Sequence, residues 1–124
     1  MMISGGYGRT GTKVEVEVIS PSSNVSCSAP DLPQPRSGHT MNNNIVCGGA
    51  GGTDADTLTS CYQLTSAGWS RSHTLKYSRA GHSSWEVEDG ILLLGGFYST
   101  TSEIAKWDGT SIELFTMTYA IKYL

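Results

Sequence analysis

An apolar run that stops on a pair of glycines occurs three times in this chain, and no other feature constrains its fold as much. The pairs are Gly5-Gly6, Gly48-Gly49 and Gly95-Gly96, and their first glycines lie 43 and then 47 residues apart. Self-similarity at a period of about 40 to 50 residues is the signature of a repeat array. The run before the third pair, Ile91-Leu92-Leu93-Leu94, reads as a strand buried on both faces. At its end a missing Cβ lets the backbone turn sharply or pass close to a neighbour.

Composition supports strands and turns. Of 124 residues, 38% are apolar, 15% are charged and 15 are glycine, a balance that points to an all-β class. The net charge is -3 and the eight basic residues are scattered, so no electrostatic footprint for nucleic acid is present. No apolar run approaches the roughly 18 to 20 residues that cross a bilayer, so membrane insertion is not expected. Met1-Met2-Ile3-Ser4 lacks the charged and apolar regions of a signal peptide. Cys27, Cys47 and Cys61 sit in or beside expected strands, and Asn24-Val25-Ser26 is a glycosylation sequon in a turn-like segment. Both fit an extracellular setting, with a cytoplasmic one as the alternative. An odd cysteine count leaves one thiol unpaired within the chain and hints at sequence beyond it.

In chain order, Met1 to Ser4 forms a short strand into Gly5-Gly6, and Tyr7-Gly8-Arg9-Thr10-Gly11 follows as a loop. Lys13 to Val18 alternates valine with charge, as a half-buried strand requires. A further strand spans Val25 to Ser28, and Pro30 and Pro33 fix an extended crossing to the next unit. The second unit opens on Arg36-Ser37-Gly38-His39, turns at Asn42-Asn43-Asn44 and rises through Ile45-Val46-Cys47 into its glycine pair. Arg79-Ala80-Gly81-His82 repeats the Arg-x-Gly-His pattern 43 residues later and leads through a turn at Glu88-Asp89-Gly90 into the third pair. Ile19, Tyr62 and Trp107 follow the second glycines at 13, 13 and 11 residues, and Trp69 follows Tyr62 by seven. Each unit is thus expected to hold four short antiparallel strands, A to D.

Arg-x-Gly-His, an apolar strand into Gly-Gly, a Tyr, and then a Trp, as in Arg36 through Trp69, resembles the kelch repeat. The resemblance spans essentially the whole chain. It departs in the first unit, where strand A is missing and Cys27 takes the Trp position, and in the third, where Trp107 replaces the Tyr. It implies a partial kelch-type β-propeller of four-stranded antiparallel blades. The expected division is residues 1–35 (strands B to D of a first blade), 36–78, 79–118, and 119–124 as strand A of another. Two chains so offset would close head to tail into one ring, and the alternative is a fragment completed by further blades. Val14, Val16 and Val18 in the first blade, and Leu92 and Leu94 in the third, are expected to lie on faces without cover.

Cys47 and Cys61 fall on strands B and C, where directly opposed Cα atoms lie within disulfide range. Their pairing is preferred over one in which Cys27 bridges to the next blade and Cys61 pairs outside the chain. His39 and His82 recur at one point of successive blades, separated by a blade width, so a structural role is expected and no metal site. His73, without Cys or His at ligand spacing, is expected to face solvent. Gly48 through Asp56 lacks the Gly-Lys-Ser/Thr and helix of a phosphate loop. Asp54 and Asp56 are hard-oxygen ligand types, but a single copy of this kind matches no calcium motif, and a B-C loop accounts for them.

No serine elbow and no Cys-His-acid set occurs. The expected function is therefore a protein-interaction module without cofactor or catalysis. In a kelch blade the B-C and D-A loops share the face that commonly meets partners, and here they carry Tyr7, Arg9, Arg36, Asp54, Asp56, Arg79, Phe97 and Tyr98. Asn24 lies toward the opposite face. A galactose-oxidase-like enzyme, analogous by fold alone, and an intracellular ubiquitin-ligase adaptor are the alternatives.

Overall fold

A computed structural model describes residues 1–42, 44–51, 56–96, 103–107 and 112–116. Its elements are all strands, and they form three antiparallel meanders, each turning back on itself through short connections. The first sheet joins β1 (Met2–Ser4), β4 (Val16–Ser20) and β5 (Val25–Ala29). The second orders β6 (Thr40–Asn42), β7 (Ile45–Cys47), β10 (Ser60–Thr65) and β11 (Gly68–Thr74). The third orders β12 (Ser83–Val87), β13 (Gly90–Leu94), β14 (Glu103–Trp107) and β15 (Ile112–Thr116). Two small hairpins lie beyond the first and second glycine pairs. They are β2 (Tyr7–Gly8) with β3 (Gly11–Thr12), and β8 (Ala50–Gly51) with β9 (Asp56–Thr57). The sheets are therefore successive blades, and the connection from strand B to strand C is lengthened by a hairpin in two of them.

The core lies in the two seams between sheets. Period-2 alternation sends Val46 of β7 to the first seam, with Val16, Leu32, Met41, Tyr62 and Trp69. Its neighbours Ile45 and Cys47 face the second seam, with Cys61, Leu75, Ile91 and Leu93. Each fully buried valine, leucine or isoleucine among them stabilises the fold by about 1.5 to 3 kcal/mol relative to exposure. Trp69 also fastens the first seam, its indole Nε1 donating to the Pro30 carbonyl at 2.8 Å.

One expectation is corrected here. The valine face of the first blade is covered at two of its three positions, because Val16 is buried and Val14 packs against it in the seam with the second sheet, while Val18 is 38% exposed as expected. The outward face instead carries Ile3, whose partner across β4 is the exposed Glu17. The strand also begins at Val16 rather than Lys13. The backbone of residues 13 and 14 is bound elsewhere, with Lys13 N donating to Gly6 O and Val14 O accepting from Leu32 N. The segment expected to form strand A of a further blade, residues 119–124, lies outside the described residues.

Candidate functional site

The recurrent residues meet at the seams. Gly6 N donates to Arg36 O at 2.8 Å, and Gly49 N donates to Arg79 O at 2.8 Å, so the second glycine of the first two pairs holds the arginine that opens the following blade. The first glycine makes room for this. Gly48 has φ of 63°, and a Cβ there would lie 2.6 Å from Arg79 O and 2.8 Å from His82 Cε1. A left-handed backbone and a blocked Cβ direction both demand glycine.

The arginine side chains turn inward. Arg36 Nη1 donates to Gly48 O at 2.9 Å and Ser60 O at 3.0 Å, while Nη2 donates to Ser60 Oγ at 2.9 Å. Its Cζ stands 5.4 Å from the Tyr62 ring centroid, within cation–π range. Arg79 Nη1 repeats the pattern one blade on, donating to Leu93 O at 3.2 Å and Gly95 O at 3.4 Å. Arg36 is 0% and Arg79 1% exposed. Their expected place on the partner-binding face is thereby corrected: backbone carbonyls near the ends of strands B and C take their donors. Burial lowers the Arg36 pKa to about 10, against the smaller raising influence of Tyr62, and the guanidinium stays charged at neutral pH.

The histidines latch backward. His39 Nε2 lies 2.9 Å from Ser4 Oγ in the first blade, and His82 Nε2 lies 2.9 Å from Thr40 Oγ1 in the second. Burial, and then the nearby Arg36, hold His39 at a pKa of about 4, although a hydrogen bond donated to the Ser4 backbone carbonyl works the other way. Burial, then Arg79 and then His39, hold His82 at about 3. Gly81 N donates to Gly38 O at 2.8 Å, joining successive Arg-x-Gly-His loops directly. Chemically, this constellation is a repeated inter-blade lock.

A second cluster lies in the second seam. Cys47, Cys61 and His73 form one row across three adjacent strands, since Cys61 is the register partner of both Cys47 and His73. Cys47 and Cys61 are joined by a disulfide, with Cα atoms 4.2 Å apart. Cys27 is a free, exposed thiol. His73 is half-buried, and its expected exposure to solvent is corrected: Nε2 lies 3.6 Å from Cys47 Sγ and Nδ1 lies 2.8 Å from Ser72 Oγ. Burial lowers its pKa to about 4. The row escapes a spacing search because its members stand 14 and 12 residues apart in sequence. The two-residue turn that pairs Thr65 with Gly68 folds β11 back on β10, and that was the available signal.

At the loops, Tyr7 is 79% exposed on the β2–β3 hairpin and Arg9 is exposed at its turn. Asn24 is exposed at the β4–β5 turn, with φ of 57°, at the end of the sheet opposite that hairpin. Asp54, Phe97 and Tyr98 lie outside the described residues, and Asp56 and Trp107 are described by their backbone in β9 and β14. Among the described residues, no helix is long and apolar enough to cross a membrane.

Face-to-face antiparallel meanders, repeated and locked at the same points, define this all-β chain as a partial β-propeller. The comparison with solved structures gives the same class. The structure of YjhT matches with a TM-score of 0.76 at 16% identity, over 98% of this chain and 50% of that one. The chain thus spans about half the length of that neighbour. In all, 77 solved chains match, a breadth that identifies an architecture rather than an activity. No family model matches the sequence. No curated protein matches it.

Proposed function

We propose that this chain is a kelch-type propeller segment that serves as a protein-interaction module in an extracellular setting. The kelch reading is supported by the way Arg36, His39 and Gly48-Gly49 act together as one lock that recurs with Arg79 and His82. The observation that carries the contact role is Tyr7, standing 79% exposed on a hairpin lifted beyond the glycine pair. With Arg36 and Arg79 committed to the seams, the contact surface reduces to the B-C hairpins, represented by Tyr7 and Arg9. The Cys47–Cys61 disulfide and the exposed sequon at Asn24 support the extracellular assignment.

The test is a binding screen of the intact protein against an array of purified extracellular domains. A partner of this face binds the wild type and Asn24→Gln equally, and loses at least about tenfold in affinity with Tyr7→Ala, as removal of an exposed aromatic anchor does. A partner insensitive to Tyr7→Ala and Arg9→Ala together would remove the B-C hairpin from the contact surface. A panel that yields no partner, with Asn24 unglycosylated in secreted material, would count against the module and its compartment alike.

A further inference from the structure

Two cysteine side chains and an imidazole aligned on one face of three adjacent strands form a donor set, not only a crosslink. We propose that Cys47, Cys61 and His73 in their dithiol state bind one thiophilic d10 cation, zinc(II) being the type case, and that formation of the disulfide expels it.

The geometry is close to what a tetrahedral ion requires. Zinc–sulfur bonds of about 2.3 Å and zinc–nitrogen bonds of about 2.0 Å place the donor atoms roughly 3.5 to 3.8 Å from one another. His73 Nε2 and Cys47 Sγ are 3.6 Å apart, and all three donor atoms lie within 4.8 Å of one another. When the sulfur–sulfur bond is absent, rotation about the Cα–Cβ bonds opens the pair to that spacing on strands already in register. Three protein donors leave one position of the tetrahedron for water or a further ligand.

The strand irregularity aims the third ligand. The β10–β11 register shifts between Cys61 and Tyr62, so that His73 stands opposite Cys61 while Arg71 stands opposite Tyr62. Ser72 is the extra residue of this β-bulge, a device that re-aims side chains. Its hydroxyl lies 2.8 Å from His73 Nδ1. In the cation-bound state Nδ1–H donates to Ser72 Oγ and leaves the Nε2 lone pair toward the sulfurs, the outer-shell arrangement that orients metal-binding histidines. In the disulfide state the tautomer reverses, with Ser72 donating to Nδ1 and Nε2–H toward Cys47 Sγ. Ile45, Leu75, Ile91 and Leu93 surround the pair in the seam, where buried thiolates need a compensating cation.

The conversion balances. Binding of zinc(II) to two thiols releases two protons to solvent, and the imidazole binds neutral. Oxidation is by an external disulfide, the co-reactant of thiol–disulfide exchange. Its sulfur–sulfur bond breaks, its two sulfurs take the two electrons and leave as thiolates, the Cys47–Cys61 bond forms, and the cation departs.

The test uses the full chain carrying Cys27→Ser, which removes the exposed thiol. Reduced with a phosphine that is then removed under argon, it is titrated with zinc(II) and then cadmium(II), and read by native mass spectrometry and by the thiolate-to-cadmium charge-transfer band. One ion per chain is expected, released stoichiometrically by glutathione disulfide. His73→Ala should weaken binding by about 100-fold or more, and Ser72→Ala by about tenfold, since outer-shell partners alone are worth about 10- to 100-fold. The oxidised form of each variant, melted in parallel, reports on folding. If His73→Ala does not fold, the graded loss in Ser72→Ala decides. Absence of a one-to-one complex in the reduced Cys27→Ser chain, or affinity unchanged by both substitutions, would overturn the proposal.

Discussion

His82 Nε2 lies 2.9 Å from Thr40 Oγ1, a bond between residues 42 apart in sequence and one blade apart in space. The His39–Ser4 bond repeats it one blade earlier. His82 is buried and His39 half-buried, and their pKa values of about 3 and about 4 lie below the unfolded value near 6.5; His73, at about 4, joins them. The unfolded chain therefore binds more protons than the folded one between these limits. The stability these groups contribute is complete above about pH 6.5 and is lost as pH falls toward 4 and 3. The melting temperature should fall steadily from pH 7 to pH 4.5, and His82→Gln should flatten that slope. A melting temperature constant over this range would show that the seam histidines do not govern acid stability.

Gly48→Ala should destabilise the chain by about 2 to 4 kcal/mol, because it combines a positive φ with a Cβ 2.6 Å from Arg79 O. Gly6 supplies the control. It also has a positive φ, but a Cβ there meets nothing within 4 Å, so Gly6→Ala should cost only the backbone term of about 1 to 2 kcal/mol. Urea unfolding of the two variants separates strain from steric exclusion. Equal losses would mean that blade approach does not explain the glycine pair.

Arg36→Met should cost about 3 kcal/mol or more, since Gly48 O, Ser60 O and Ser60 Oγ lose a charged donor in a buried site. Arg36→Lys should recover only part of this, because one ammonium does not reproduce a planar fork. Denaturant midpoints measure both. Unchanged stability together with lost partner binding would return Arg36 to the contact surface.

Much of this was legible in the sequence, for physical reasons that differ by residue. The seams follow from alternation, so Ile45, Val46 and Cys47 could be assigned to opposite faces once β7 was recognised. The disulfide follows from register, because the Cys47 and Cys61 strands are antiparallel neighbours. His73 does not. Continuing the pairing of Thr65 with Gly68 without interruption puts Ser72 opposite Cys61, and only the bulge brings His73 there. A bulge is set by how the seam packs, not by a local residue signal. Arg36 and Arg79 were misplaced for a related reason: a long charged side chain beside a loop resembles a surface residue until the carbonyls that it satisfies are located.

Intact mass and a non-reducing peptide map should recover one Cys47–Cys61 link, with Cys27 open to alkylation. Joining positions separated by 14 residues contributes about 3 kcal/mol in the chain-entropy model. Replacing both cysteines by alanine should lower stability by a similar amount. A map with Cys27 in the link would restore the competing inter-blade pairing, and three free thiols would also remove one support for an extracellular setting.

Trp85 provides the last prediction. On β12, Ser84 bonds to Asn42 of the preceding blade, so alternation sends Trp85 to the opposite face, where it is 69% exposed and paired across the sheet with Leu92. The first blade exposes Ile3 on its own outward face. Contact between these two faces is heterologous, and it closes into a ring only if the blade rotation allows. If two chains associate head to tail, sedimentation at micromolar concentration should show a dimer, and Trp85→Asp and Ile3→Asp should each give monomers, since either substitution buries an unpaired charge. Tyr7→Ala should leave the dimer intact because its hairpin lies outside the seam. A wild-type monomer at that concentration would rule out closure by a second copy and leave blades of a longer polypeptide as what covers Trp85.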